Sequence, residues 1–332
     1  TKSLKTRREC GHSGGKGRDS VLSDFVAVVD LLEKAAVFAA QALVVAWGVR
    51  FCQEHLIARI QMRPPRGLTA FAAEPVKALF KEVWIPEKAQ KTVYVLSPVF
   101  ALATALFFGF LLPFCGGKDF PSPFSAVYPL LAGIFAEYAV LAGAWASGSG
   151  FAFFGAVRMT AQALPAQAVL CFAVAPVLIS AGSADISEIA EAQRNLWFVV
   201  PHFPLFVLYL VCVAALVVQS PFNSPKAARG LASGVYAEYG GMGEELFKMA
   251  ETVLVTVFAV FGVYLFLGGA DSFVSGGLKT AAVLFVLTLI QGALPDLKAG
   301  RAMRLGFTAA LPFAAAWTLV TAAVVVFFGR GA

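Results

Sequence analysis

The sequence predicts an all-α integral membrane protein, a bundle of about eight transmembrane helices with an amphipathic helix at the interface after the first. Three observations predict it. Of 332 residues 59% are hydrophobic, with 31 Phe, and only 14% are charged, a composition outside the range of soluble domains. Several runs of about 20 apolar residues are long enough to cross a bilayer as helices. The polar residues are gathered into a few segments between those runs.

Residues 1–20 are basic and Ser/Gly-rich and read as an N-terminal tail, either a processed targeting remnant or a disordered segment. Residues 21–332 read as one transmembrane helical domain. Its first helix is predicted over Val26–Phe51, opening with Asp24, Asp30 and Glu33, acids that suit a helix N-terminus. Cys52–Gln90 follows, with Arg59, Arg63, Arg66, Lys77, Lys81 and Lys88 interleaved with Phe71, Val76, Leu79 and Phe80 at near-helical spacing. That pattern fits a helix lying along the interface. Further spans are predicted at Val93–Pro113, Ala126–Ala146, Ala156–Ile179, Leu196–Val218, Leu246–Leu267, Leu278–Ala293 and Leu305–Phe328.

The loops set the orientation. Segments 52–92, 147–157, 219–245 and 294–304 fall on one face and carry most of the Lys and Arg; segments 114–125, 180–195 and 268–277 fall on the other, with Lys118 and Arg194 against Asp119, Asp185, Glu188, Glu191 and Asp271. The positive-inside rule places the polar loops 52–92 and 219–245 on the matrix or cytoplasmic side. The basic tail opposes this assignment, since an even number of helices leaves both termini outside, and the loops are given more weight. The net charge of +6 is thus a topology signal. Nucleic-acid binding would need basic residues clustered on a soluble fold, so no nucleic-acid partner is expected.

The polar stretch Pro221–Glu251 lies between apolar runs and holds Pro221, Pro225, five glycines and both signs of charge. Irregular polar backbone at the edge of a membrane bundle is buried in protein or lines a cavity. It is expected to line something; the alternative is a plain solvated loop. The five cysteines have no C-x-x-C spacing, and three histidines are too few for two bis-His haems. No metal-bound or covalent cofactor is expected in this chain.

Short motifs recur in a definite order. They are ARIQMR (58–63), KALFKE (77–82), WASGS (145–149), GAVR (155–158), AEAQ (190–193), Pro221-Phe222 with Pro225, Glu238-Tyr239 with Gly241-Met242, Ala250-Glu251, FLGG (266–269) and MRLG (303–306). In this order and spacing they resemble the quinone-site membrane subunit of respiratory complex I, over nearly the whole chain after about residue 35. The resemblance implies an eight-helix subunit of a proton-translocating NADH:quinone oxidoreductase. It would join the membrane arm to the hydrophilic arm, form much of the quinone chamber and carry part of the proton-coupling path. It implies quinone as substrate, flavin and iron–sulfur clusters in partner subunits, and other complex I subunits and lipids as partners. No complete active site lies in this chain alone. The mitochondrial inner membrane is the expected location, with the bacterial plasma membrane as alternative. The equivalent subunit of a complex I-like membrane-bound hydrogenase, or a secondary transporter, are the competing functions.

The resemblance marks site residues. Arg59, Arg63, Phe71, Lys77, Phe222 and Glu238 are assigned to the quinone chamber; Glu137, Arg158, Glu238 and Glu251 are assigned to a proton relay. Glu137, Glu238 and Glu251 are expected to point into one polar cavity between helices. Each residue has a structural alternative. Arg59 and Arg63 could meet lipid phosphate, and Phe71 and Phe222 could simply pack. Glu137 could serve an interhelical hydrogen bond. Arg158 could snorkel, and Glu238 could be a helix-end charge. The chain also departs from the pattern. Asn223, Lys226, Ala228 and Gly230 replace four loop carboxylates. Pro165, Ala166 and Gln167 stand for Ser-Tyr-Glu, and Ile134 replaces an acid one turn from Glu137 on the same face.

Overall fold

The structure, a computed structural model, describes residues 13–82, 84–112, 122–217, 221–222, 234–270 and 272–328, with side chains from residue 29 onward. The described residues are almost entirely helical. The chain divides into two compact units, Thr1–Val44 and Val45–Ala332. The described part of the first is the N-terminal portion of α1 (Ser13–Ile60). The second holds the remaining helices: α2 (Leu68–Phe80), α3 (Lys91–Phe110), α4 (Tyr128–Ala146), α5 (Gly150–Ala181), α6 (Ile186–Ala192), α7 (Phe203–Leu216), α8 (Met242–Phe266), α9 (Phe273–Ala293), α10 (Ala299–Leu305) and α11 (Leu311–Phe328). A π-helix, Gly306–Ala310, joins the last two.

Among the described residues, seven helical stretches are long and apolar enough to cross a membrane: Val29–Ile60, Lys91–Phe110, Ser125–Ala146, Gly150–Ala181, Met242–Phe266, Phe273–Ala293 and Ala299–Phe327. The helix expected over Leu196–Val218 is the exception, since α7 covers only the 14 residues Phe203–Leu216. Among the described residues the expected eight spans appear as seven long apolar helices and this one short apolar helix. Pro201 accounts for the late start, because the residue before a proline is disfavoured in helical conformation. Gln193 then holds the irregular segment in place. It is buried, its amide nitrogen donates to the carbonyls of Tyr264 (2.8 Å) and Ile189 (3.2 Å), and its Oε1 accepts from the N–H groups of Phe198 (3.2 Å) and Gly268 (3.0 Å). The AEAQ and FLGG motifs are thus two halves of one contact.

Other boundaries move outward. Helix α1 begins at Ser13, inside the segment read as a tail, and runs on through the polar residues after Phe51 to Ile60. Helix α8 begins at Met242, so Glu251 lies in its third turn rather than at its start. The most buried helix is α8, with an apolar surface from Val253 to Phe266 that is buried at nearly every position. Its neighbours include α3, α4, α7 and α9, and α5 packs on α4, α7 and α11. A helix enclosed on several sides has no solvated face, which is why it is hydrophobic all round.

Candidate functional site around Glu251 and the 234–251 segment

The segment from Gly234 folds down onto the ends of α4 and α5. A short 3-10 turn, Gly234–Tyr236, approaches α5 at Gly155, where a Cβ would stand 2.9 Å from the Val235 nitrogen. Tyr239 is buried and meets α4 at Gly143, where a Cβ would stand 2.6 Å from its hydroxyl and 2.3 Å from Ser97 Oγ. The Gly143→Ala variant is expected to lose about 1–3 kcal/mol through overpacking, read as a lowered thermal midpoint. The GAVR and WASGS neighbourhoods are therefore the floor on which the Glu238-Tyr239 motif rests. On its other side, the backbone at Gly241 lies against Ala78 and Lys81 of the KALFKE motif. The amphipathic section and the described part of the loop, 234–245, are neighbours.

Aromatic rings lock this segment. Tyr94 and Tyr239 stack with centroids 4.3 Å apart and planes at 6°; Phe247 meets Tyr239 edge-on at 5.0 Å and stacks on Tyr236 at 5.1 Å. The Tyr94 hydroxyl donates to the Glu238 carbonyl at 2.6 Å, and the Tyr239 hydroxyl donates to the Tyr94 carbonyl at 3.0 Å. The Tyr236 hydroxyl donates to Glu251 Oε1 at 2.5 Å. Removal from water, then the charge and hydrogen bond of Glu251, push the Tyr236 phenol well above its ordinary range. It therefore stays a proton donor toward that carboxylate.

A polar layer crosses the bundle at this depth. The buried apolar residues form two clusters. One ends at Ala101 on α3, Ala139 on α4, Met159 on α5 and Ala250 on α8. The other resumes on the same helices at Ala105, Ala136, Ala163 and Val253. Between the two clusters stand Thr104, Glu137, Thr160 with Gln162, and Glu251 with Thr252. Four helices change from apolar to polar at one boundary. Thr104, Thr160 and Thr252 donate to carbonyls of their own helices at 2.9, 3.1 and 2.9 Å, so their oxygens remain available as acceptors. Thr160 is the hydroxyl neighbour of the Glu137 carboxyl, whose buried Oε1 has no hydrogen-bond partner.

A third feature is an ion network between α1, α2 and the start of α8. Arg50 contacts Glu245 in a short hydrogen bond, Glu54 at 3.4 Å and Glu74 at 3.6 Å; Arg66 reaches Glu74 at 2.5 Å, and Lys248 reaches Glu244 at 2.7 Å and Glu245 at 3.8 Å. The Arg50 and Glu245 side chains are only 12% and 10% exposed. Phe71 lies under the guanidinium, 5.7 Å from ring centroid to Cζ, and packs on Trp47 and Phe51.

The residues singled out from sequence fall in different places. Glu137 and Glu251 share the polar layer. Glu238 sits at the loop, beside Tyr94. Phe71 is buried beneath Arg50. Arg59, Arg63 and Lys77 are exposed. Arg158 is also exposed, with no ion pair among the described residues. Phe222 is buried and lines a separate apolar cavity; its carbonyl accepts from Gln162 at 2.9 Å. The segment 223–230, with Asn223, Lys226, Ala228 and Gly230, lies outside the described residues. Arg50 and Glu245 were not singled out. Arg50 falls at the end of the first apolar run, where a basic residue reads as an ordinary membrane flank; its partner lies 195 residues away.

Fold and site define a polytopic membrane protein with a polar layer inside the bundle and a structured segment, 234–245, against one end. Comparison with known proteins agrees. The family model for NADH dehydrogenase matches residues 33–322, and the chain belongs to that family. It is 30% identical over 322 residues to the H subunit of the NADH-quinone oxidoreductase of Rhodospirillum rubrum, covering 91% of this chain and 95% of that one. It is 30% identical over 304 residues to the corresponding protein of Magnetococcus marinus (86% and 89%) and 29% over 277 residues to that of Pelagibacter ubique (80% and 83%). The family and the seven long apolar helices make it an integral membrane protein. These relatives are bacterial, which fits the plasma membrane and gives the mitochondrial location no support. They favour neither the hydrogenase nor the transporter alternative.

Proposed function

We propose that this chain works within an NADH:quinone oxidoreductase as the membrane subunit that closes the quinone chamber and passes the effect of quinone reduction into the membrane. Electrons reach the quinone from flavin and iron–sulfur clusters held by partner subunits. The loop 234–245 and α2 border the chamber, with Arg59, Arg63 and Lys77 facing partner subunits or lipid phosphate. Glu251 and Glu137, in the polar layer, carry charge changes inward. Carboxylates suit this task because burial and neighbours set the cost of charging them within reach of the reaction. The observation that carries this reading is the layer itself. It interrupts apolar packing on four helices at once, and Tyr236 ties Glu251 to the loop.

This assignment changes the expected relay. We place the relay at Glu137 and Glu251 of the layer, with Glu238 standing in the loop above it. The backbone carbonyl of Glu238 holds Tyr94, and we assign Glu251 to titration. Native mass spectrometry of the complex purified through a tag on this chain tests the reading. Flavin- and iron–sulfur-bearing subunits with bound quinone are the expected result. Isolation as a lone homo-oligomer would contradict it.

A further inference from the structure

A cavity of about 560 Å³ lies between α5, α7, α9 and the π-helix, away from the polar layer's acids. Its size falls in the range of small-molecule sites, roughly 300–1,000 Å³. Its walls are apolar, Val211 and Ala215 among them, and its rim carries Leu294, Leu305 and Phe313, all about half exposed. In a membrane protein a doorway framed by such side chains opens to hydrocarbon.

One polar atom breaks the pattern. Gln162 lines the cavity, is 2% exposed, and its Oε1 has no hydrogen-bond partner among the described residues. The amide cannot be turned to relieve this, because its nitrogen donates to the Phe222 carbonyl at 2.9 Å, and that carbonyl only accepts. The unsatisfied group is therefore an acceptor. A buried acceptor without a donor costs about 1–3 kcal/mol, and a water needs two to four polar partners that these apolar walls do not offer. The geometry of the wall is built in. A Cβ at Gly306 would stand 2.7 Å from Pro165 Cβ, so the π-helix comes up against α5 at its first residue. Single π turns inside helices recur at functional sites.

We propose that this cavity binds a neutral, membrane-soluble hydroxyl compound, which enters from the bilayer and donates one O–H hydrogen bond to Gln162 Oε1. The apolar walls exclude ions and charged headgroups. A ligand offering only carbonyl oxygens would face the amide oxygen with its own lone pairs. The site therefore selects alcohols and phenols over their ethers and over quinones. The inference does not rest on the proposed function.

The test uses native membrane vesicles containing the full chain and two photoreactive probes. One is a long-chain fatty alcohol bearing a diazirine; the other is a hydroquinone bearing the same group, kept reduced. Each is paired with its O-methyl ether, and cross-linked peptides are read by mass spectrometry. Labelling of 203–216 and 290–313 by at least one hydroxyl probe is expected to exceed that of its ether about tenfold, the effect of one hydrogen bond. The stronger of the two probes names the source. Val211→Phe, which fills the cavity, should abolish the labelling, and Gln162→Leu should erase the preference over the ether. If Val211→Phe does not assemble, Ala215→Val narrows the same space with a smaller change. Equal labelling by ether and hydroxyl compounds, labelling that survives a cavity-filling variant, or no labelling of these helices by either probe would overturn the proposal.

Discussion

The Arg50→Ala variant is expected to lower the stability of the subunit by roughly 3–5 kcal/mol, the range for breaking a buried ion pair by removing one partner. The cost arises from what remains. Glu245 is left nearly enclosed, with Lys248 at 3.8 Å as its remaining cation among the described residues, and Glu54 and Glu74 lose a shared guanidinium. Phe71 also loses the group stacked over it. The double variant Arg50→Met with Glu245→Leu should recover part of the loss, because it removes both charges and fills the space. Thermal midpoints of the single and double variants in the purified complex decide this. A single variant as stable as the parent would show that α1, α2 and α8 are held without the network.

Glu137→Leu is expected to do two opposite things. It should raise stability by about 0.5–2 kcal/mol, the usual gain when a functionally retained liability is removed, because an unpartnered carboxyl oxygen inside the bundle is replaced by an apolar side chain. It should also impair proton translocation, if Glu137 titrates in the layer. Glu137→Gln separates this from a structural role. A structural hydrogen bond would survive in Gln and fail in Leu, so stability would fall with Leu and coupling would be untouched by Gln. The relay reading predicts the reverse pattern, with both variants losing coupling and neither losing stability.

Much of the architecture is legible in the chain because the bilayer imposes a length on each helix. Runs such as Met242–Phe266 and Phe273–Ala293 carry that length in their composition. Local chemistry spoils the signal where it competes. Pro201 and the hydrogen-bonding of Gln193 shorten α7, although residues 196–218 are apolar apart from His202. Helix α1 runs on past Phe51 because its polar residues, Gln53 and Glu54 among them, find partners or burial in the fold and need not mark an end.

The candidate site was legible in part. Glu137 and Glu251 stand out as acids within apolar runs, and that signal is local. The layer joining them is not local. It requires Thr104 and Thr160, which look ordinary on their own helices, to reach the same depth. Phe71 illustrates the limit from the other side. An aromatic in an amphipathic helix fits a ligand contact or packing equally well, and the Arg50 guanidinium above its ring is a contact that the sequence does not show. The ordered motifs marked the family; the contacts that explain them, Gln193 with Gly268 and Tyr94 with Glu238, join residues far apart in the chain.

The most direct measurement is proton translocation per electron in the Glu251→Gln complex, reconstituted in vesicles and driven by NADH and quinone. Gln keeps the size of the side chain and can still accept from the Tyr236 hydroxyl, while it cannot carry a proton. The account predicts an assembled complex, with subunit composition unchanged, whose proton yield falls below that of the parent. An unchanged yield at the parental rate of quinone reduction would contradict it, and would leave the polar layer as packing and the subunit as a scaffold for the quinone chamber.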